Sequence, residues 1–156
     1  MLAVYFLISL VLIGIDQWIK YWTVANISLH ETMEFIPSVL SLTYIRNTGA
    51  AWSILEGRMG FFFIITMIAV AVVTYLLIKH RTEHWIFTIG LSFVLAGAIG
   101  NFIDRMRLGY VVDMFQTEFM NFPIFNVADV SLFIGVAFIF IYTLFEEKLK
   151  GNKHEK

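Results

Sequence analysis

The sequence predicts an all-α membrane protein with four transmembrane helices and a small extracytoplasmic β-rich element on the membrane surface. Of its 156 residues, 59% are hydrophobic and only 15% are charged, whereas a soluble domain carries roughly 25% charged residues. The apolar residues also form long runs, and a hydrocarbon core about 30 Å thick needs roughly 20 of them in a helix. A stretch of alternating, β-prone residues between positions 35 and 45 predicts the surface element.

Four apolar runs give the predicted spans. No basic residue precedes the first run, which argues against a cleaved signal peptide, and Trp18 and Trp22 form an aromatic belt at its far end. The second run has no charged residue. The third has Asn101 as its only strongly polar member, and the fourth contains Asp129 near its start and ends at Glu146. The spans cover about 2–22, 59–78, 85–103 and 127–145 of a single domain, 1–156.

Two longer connections join the first span to the second and the third to the fourth. In residues 23–58, the alternation from Phe35 to Ile45 is followed by a turn at Asn47-Thr48-Gly49, so we expect a small amphipathic sheet on the membrane surface. Residues 104–126 contain an aromatic-rich stretch from Phe115 to Phe125.

The basic residues predict the orientation of the chain. Those of the turn between the second and third spans and of the tail are dense in short segments, while the others are spread over the longer connections. We therefore expect both termini, including the tail 146–156, in the cytoplasm and both long connections on the outer face. The dense group is Lys79, Arg81, Lys148, Lys150, Lys153 and Lys156, and the spread group is Lys20, Arg46, Arg58, Arg105 and Arg107.

Several classes of site are excluded or disfavoured. The chain has no cysteine, which excludes a disulfide, a thiol nucleophile and a cysteine-based metal site. GxGxxG, P-loop and HExxH patterns are absent, and the helically spaced His80 and His84 lack the convergent third ligand of a zinc site. A net charge of -1 gives no reason to expect a nucleic-acid partner. We expect no metal and no cofactor.

Eight polar side chains gather at the outer ends of the predicted spans. Ionisable groups at membrane depth cost a few kcal/mol and indicate a functional site by default. In so apolar a chain, their gathering at one depth predicts one site. The eight are Asp16, Asn47, Asn101, Asp104, Arg105, Asp113, Asn126 and Asp129.

Two sets of residues at these span ends each have a structural and a functional interpretation. Asp16 and Lys20, four residues apart, form either an interfacial ion pair that helps to end the first span or a support for the site. Asn101, Asp104 and Arg105 share one helical face. That face is either a polar helix end among lipid headgroups or a site where Arg105 binds a substrate phosphate or carbonyl and Asn101 donates a hydrogen bond.

Asn126 and Asp129 have the spacing of a helix capping box, which needs no catalytic role. Capping does not explain Asp113, an aspartate in an apolar stretch that requires a partner. Two carboxyl groups that meet in a partly dry site share a proton, so that one acts as a base and the other as an acid. The helix N-terminus favours the charged form of Asp129.

Five stretches in order resemble the lipoprotein signal peptidase (signal peptidase II) family, from the first span into the fourth. Met114 is a small departure, because the family more often has Phe there, and residues 23–41 match weakly. The stretches are DQWIK at 16–20, RNTGAAWS at 46–53, GAIGNFIDR at 97–105, GYVVDM at 109–114 and FPIFNVADVS at 122–131.

The resemblance implies an intramembrane aspartic endopeptidase of the bacterial cytoplasmic membrane with its active site near the outer face. Such an enzyme removes signal peptides from prolipoproteins by cutting before a diacylglyceryl-modified cysteine. Its partners are these lipid-modified peptides, membrane lipids and globomycin-type inhibitors, and it needs no metal or cofactor. The implied catalytic pair is Asp113 and Asp129, and the implied substrate-binding or supporting residues are Asp16, Lys20, Asn47, Gly49, Asn101, Arg105 and Asn126.

The alternative is a small proton-coupled carrier or a membrane assembly subunit, since transporters also bury polar side chains between spans. The depth of the polar side chains in the membrane distinguishes a peptidase from a carrier, because the polar side chains of a carrier lie near the midplane on broken helices. A purely structural scaffold leaves Asp113 and Asp129 unexplained.

Overall fold

The computed structural model describes residues 2–49 and 58–151, which form four long helices and a three-stranded sheet. Each of the four helices is long and apolar enough to cross a membrane. The fold class predicted from the sequence is therefore confirmed. In chain order the elements are α1 (Leu2–Asn26), β1 (Thr32–Ile36), β2 (Leu40–Asn47), α2 (Met59–Lys79), α3 (Trp85–Leu108), β3 (Val111–Thr117) and α4 (Val127–Gly151).

α2 ends within one residue of its predicted end, whereas the other three helices continue several residues beyond the ends predicted from hydropathy. α1 runs past position 22 and α3 past position 103, and α4 runs past position 145, so that the predicted tail begins inside a helix. α3 ends where Gly109 adopts a left-handed conformation (φ 78°) and its N–H donates to the carbonyl of Arg105. Loss of hydropathy marks where a helix leaves the hydrocarbon, whereas a residue such as Gly109 marks where the helix itself stops.

The predicted β-prone stretch forms two strands, and a third strand joins them from the second connection. β1 pairs with β2, and β2 with β3, both antiparallel. The chain reverses between β1 and β2 through Ser38, which has a φ of 59°. In the β2–β3 ladder, Asn47 lies opposite Val111 and Ile45 opposite Asp113. This register brings the predicted turn residue Asn47 close to the predicted catalytic residue Asp113.

α3 is the central helix and packs against α1, α2 and α4. Two of its glycines permit this contact. A Cβ atom at Gly97 would collide with the carbonyl oxygen of Ala128 and with Leu132 on α4, and one at Gly100 would lie 2.7 Å from a carboxylate oxygen of Asp16 on α1. The close approach brings the polar ends of α1, α3 and α4 together, and α1 and α3 also contact β3 there.

Candidate active site

The two predicted catalytic aspartates lie on different elements and are linked by one asparagine. Asp113 is on β3 and is 3% exposed, while Asp129 is in the first turn of α4. The fully buried Asn126 donates from Nδ2 to Oδ1 of Asp113 at 2.6 Å, and its Oδ1 accepts the backbone N–H of Asp129 at 2.9 Å. Asn126 thereby ties both aspartates to the same point of the fold.

The predicted capping box is present. The backbone N–H of Asn126 donates to Oδ2 of Asp129 at 3.2 Å, which completes the reciprocal pair. Capping does not use the whole carboxylate, because Oδ1 of Asp129 accepts a 2.7 Å hydrogen bond from Nδ2 of Asn101. Both oxygens thus receive donors that suit an ionised carboxylate.

Asp113 has an environment that favours its protonated form. Burial, and then the nearby negative charge of Asp129, raise the pKa of Asp113 to about 7. Hydrogen bonds from Asn47 and Asn126 oppose the rise, and the Asn47 bond, from Nδ2 to Oδ2, is 2.9 Å long. A carboxyl group with this pKa can hold or release a proton near neutral pH.

A buried cation lies behind the two aspartates. Nζ of Lys20 is 2.9 Å from Asp16 and 3.1 Å from Asp104, and all three side chains are almost fully buried. Nζ also donates to Oδ1 of Asn101 at 3.0 Å. The interpretation of Asp16 and Lys20 as an interfacial pair that ends the span does not fit, because the pair lies inside the helix bundle and contacts an asparagine that binds Asp129.

The same network joins four elements. Oδ1 of Asp16 accepts the N–H of Ala128 on α4 at 2.8 Å, and Oδ2 of Asp104 accepts the N–H of Val112 on β3 at 3.0 Å. Gln17 donates from Nε2 to Oδ1 of Asp104 at 3.0 Å and to the carbonyl of Gly100. These contacts fix α1, α3, β3 and the start of α4 relative to one another.

Arg105 lies on the open side of the site. Its guanidinium donates to the carbonyl oxygen of Gly49 at 3.2 Å and stacks over the ring of Phe62, 4.6 Å from the centroid. Its Nε is buried and has no hydrogen-bond partner among the described residues. Asn101, on the same helical face, is only 7% exposed. Asn101 is therefore interior rather than part of a helix end among headgroups.

These side chains surround one cavity of about 230 Å³. Six of the nine predicted site residues line it, while Asn126, Asp16 and Lys20 lie behind its wall. Among residues 2–49 and 58–151, no three His, Asp or Glu side chains are grouped so that they could hold a metal ion. The polar lining is Asn47, Gly49, Asn101, Arg105, Asp113 and Asp129, and the apolar lining is Val111 and residues 122–125.

The sequence does not single out Gln17, and it places Asp104 among the eight polar side chains of the predicted site but gives it no specific role there. Its spacing of three from Asn101 predicts that both lie on one helical face, whereas its contacts with Lys20 and with the N–H of Val112 depend on the packing of other elements. Gln17 lies within the first family-like stretch but carries no charge to draw attention to it. The second half of another such stretch, residues 50–53, lies outside the described residues.

The chain is similar to known proteins in both its sequence and its fold. The family model described as "Signal peptidase (SPase) II" matches residues 8–145. A lipoprotein signal peptidase of Enterococcus faecalis is 67% identical over 148 residues, covering 95% of this chain and 92% of that protein. One of Latilactobacillus sakei is 50% identical, covering 95% and 98%. A solved structure described as a bacterial membrane enzyme superposes with a TM-score of 0.88 at 42% identity, covering 99% of this chain and 93% of its own.

Proposed function

Because the chain belongs to the signal peptidase II family, whose members cleave signal peptides from prolipoproteins, we propose that it hydrolyses its substrate as an aspartic endopeptidase with Asp113 and Asp129 as the catalytic pair. The observation that carries the proposal is the buried Asn126, which bonds to both residues at the wall of one polar cavity. Family membership makes the chain a protease of a bacterial membrane. The catalytic type and the residue roles are our proposal.

In the proposed mechanism, the two carboxyl groups hold one proton between them. Asp129, bonded by Asn101 and by a backbone N–H at the start of α4, is the ionised member, and Asp113 is the protonated member. A water molecule between them transfers a proton to Asp129 as its oxygen attacks the scissile carbonyl carbon. Asp113 gives its proton to the carbonyl oxygen.

The tetrahedral intermediate then collapses. The bond from carbon to nitrogen breaks as Asp129 returns its proton to the leaving nitrogen, and a hydroxyl proton of the intermediate restores Asp113. The site thus returns to its starting state with one water consumed. Arg105, whose Nε has no hydrogen-bond partner among residues 2–49 and 58–151, positions a substrate carbonyl, and the buried Lys20 holds Asn101 in the orientation that binds Asp129.

The location of the cavity supports a membrane-surface peptidase over a carrier. Asn101 and Arg105 lie in the last third of α3, and Asp129 lies in the first turn of α4, so the polar groups sit at one end of the bundle. A carrier requires such groups near the midplane. We propose that this end faces outward, with both chain termini in the cytoplasm, and that globomycin-type inhibitors occupy the cavity.

A cleavage assay tests the function. The detergent-purified protein is incubated with a signal peptide that carries a diacylglyceryl-modified cysteine, and the products are identified by mass spectrometry. We expect one cut, directly before the modified cysteine, with the rate unchanged by a metal chelator. The control is the same peptide with an unmodified cysteine. Failure to cut the lipidated peptide, or a cut elsewhere, contradicts the proposed function.

A further inference from the structure

An apolar groove lies beside the polar cavity, along the exposed side of α4 that points away from the helix bundle. The α4 groove, as we call it, has a volume of about 470 Å³ and is lined by Phe122, Phe125, Asp129, Val130 and Phe133. Apart from Asp129, its lining is entirely hydrophobic. A polar peptide would gain little from such a surface, whereas a hydrocarbon chain would be fully compatible with it.

The α4 groove and the polar cavity are continuous. Phe122, Phe125 and Asp129 line both of them. The rings of Phe122 and Phe125 meet edge to face, with centroids 5.9 Å apart, and Phe122 is 47% exposed. The two rings and the proposed catalytic carboxylate therefore lie together where the polar cavity meets the apolar groove.

The groove also leads into the bilayer. Phe133 is 77% exposed, and the exposed residues Val136, Phe140 and Leu144 follow it at spacings of three and four. Residues with these spacings form one stripe along a helix. The stripe leads from Asp129 along the length of α4, the direction in which an acyl chain inserted in the membrane would extend.

The chemistry of the substrate requires such an exit. On the proposed function, the residue directly after the scissile bond carries its lipid on its own side chain. Once that bond reaches Asp113 and Asp129, the acyl chains begin only a few bonds from the catalytic pair and must reach hydrocarbon from there. We propose that the α4 groove binds the acyl chains of the lipid-modified substrate. This inference rests on the proposed function and adds the place where the lipid is bound.

A second groove, between α2 and α3, is the competing exit. It has a volume of about 200 Å³ and is lined by Gly60, Phe63, Phe102, Arg105 and Met106. It is smaller, and Arg105 lies in its wall, with an Nε that has no partner in the described part of the chain. Burying hydrocarbon against unpaired N–H donors is unfavourable, so this groove suits a peptide carbonyl better than an acyl chain.

Narrowing the α4 groove tests the proposal. Val130→Trp fills it, and Val72→Trp, at a 49% exposed position on α2, is the matched control. Cleavage by each variant is measured on two peptides that differ only in whether their acyl chains are long or short. We expect Val130→Trp to lower the ratio of kcat/KM for the long-chain peptide to that for the short-chain peptide at least about tenfold, and Val72→Trp to leave the ratio unchanged. An unchanged ratio in Val130→Trp contradicts the proposal.

A cross-linking measurement covers the case in which Val130→Trp fails to fold. The substrate carries a photoactivatable group on its acyl chain and is bound to the Asp113→Asn variant, and labelled peptides are mapped by mass spectrometry. We expect labels within residues 122–133. Labels at 60–63 and 102–106 would place the chains in the competing groove, and labels spread equally over all lipid-facing helices would show bulk lipid contact only. Either result overturns the inference.

The two proposals fail in different ways. If the proposed function is wrong, the wild-type protein cleaves neither peptide. If only the lipid site is wrong, the wild-type protein cleaves the long-chain peptide and the Val130→Trp variant keeps the same chain-length ratio.

Discussion

At the scale of single residues, the site depends on buried amides that each serve two partners. Asn126 bonds to Asp113 and caps the helix of Asp129, while Asn101 bonds to Asp129 and accepts from Lys20. An amide both donates and accepts, so one buried asparagine can hold a carboxylate and satisfy a second group without adding charge. The arrangement keeps two acidic groups close together in a largely dry site.

Arg105 provides a prediction at this scale. Arg105→Lys keeps the charge but loses the planar fork that reaches Gly49 and stacks on Phe62. We expect the cleavage rate to fall on the order of tenfold or more, since a hydrogen bond to a charged group is worth roughly 1.5–3 kcal/mol. The matched control is Arg107→Lys, an exposed position on the same helix. If Arg105→Lys cleaves at the wild-type rate, the fork geometry of Arg105 is not needed and the residue acts only as an interfacial positive charge.

The raised pKa of Asp113 predicts a pH dependence. Its carboxyl is protonated below about pH 7 in the folded protein and ionises as the pH rises through that value. The proposed acid is thereby lost, so the cleavage rate per folded molecule should fall as the pH rises through about 7. A rate that rises through this range would remove the acid role from Asp113.

Stability provides a control for the same group. A carboxyl whose folded pKa is raised contributes stability that is fully present below its unfolded pKa and is lost as the pH rises to about 7. Asn cannot ionise, so the melting temperature of Asp113→Asn should rise relative to that of the wild type between pH 5 and pH 8. Parallel melting curves across this range would mean that the Asp113 carboxyl is not held protonated.

Residue types and their positions at the span ends predict that polar side chains gather at one site, and the resemblance to the signal peptidase II family implies which of them form the catalytic pair. From the residues alone, Asp113 requires a partner because a carboxyl group is costly in an apolar stretch, while Asp129 is explained by a capping box; their pairing as catalytic residues is what the resemblance implies. The pairing of Lys20 with Asp104 was not predictable, because the two residues are far apart in the sequence and meet only through the packing of α1 on α3. The apolar wall formed by Phe122 and Phe125 was also not predictable, because no sequence pattern distinguishes aromatic residues that line a cavity from those that pack elsewhere.

At the scale of elements, α3 organises the molecule, because its glycines let α4 and α1 approach closely. We predict that Gly97→Ala lowers the melting temperature in detergent and the activity together, since the new methyl group would meet the backbone of Ala128. Gly14→Ala on α1 is the matched control, because nothing lies within 4 Å of its added Cβ. If Gly97→Ala were as stable as Gly14→Ala, the α3–α4 contact would accommodate an added methyl group, which contradicts the close approach seen in the structure.

The helices were predictable from runs of apolar residues, but their ends and the third strand were not. The end of α3 depends on the conformation of Gly109, which hydropathy does not report. β3 pairs with β2 across a long stretch of chain, with Asn47 opposite Val111. Such non-local pairing leaves little local signal, and the short apolar run at 111–112 was equally compatible with a loop.

At the scale of the whole molecule, orientation decides whether the site can act on exported lipoproteins. The chain has no cysteine, so single introduced thiols report it without background. We expect Arg81→Cys, in the turn between α2 and α3, to resist an impermeant thiol reagent in intact cells, and Glu118→Cys, just after β3, to react. The reverse pattern would place the candidate site on the cytoplasmic side and contradict the proposed localisation.

The central claim is that Asp113 and Asp129 act together, and the most direct measurement compares cleavage and folding in the same samples of Asp113→Asn, Asp129→Asn and the double variant. We predict that each single variant inserts, folds and loses cleavage, and that the double variant is no worse than either, because members of one catalytic unit are strongly non-additive. Capping alone predicts instead that Asp129→Asn loses about 1 kcal/mol of stability and keeps its turnover per folded molecule. Substantial cleavage by either folded single variant would contradict the catalytic pair.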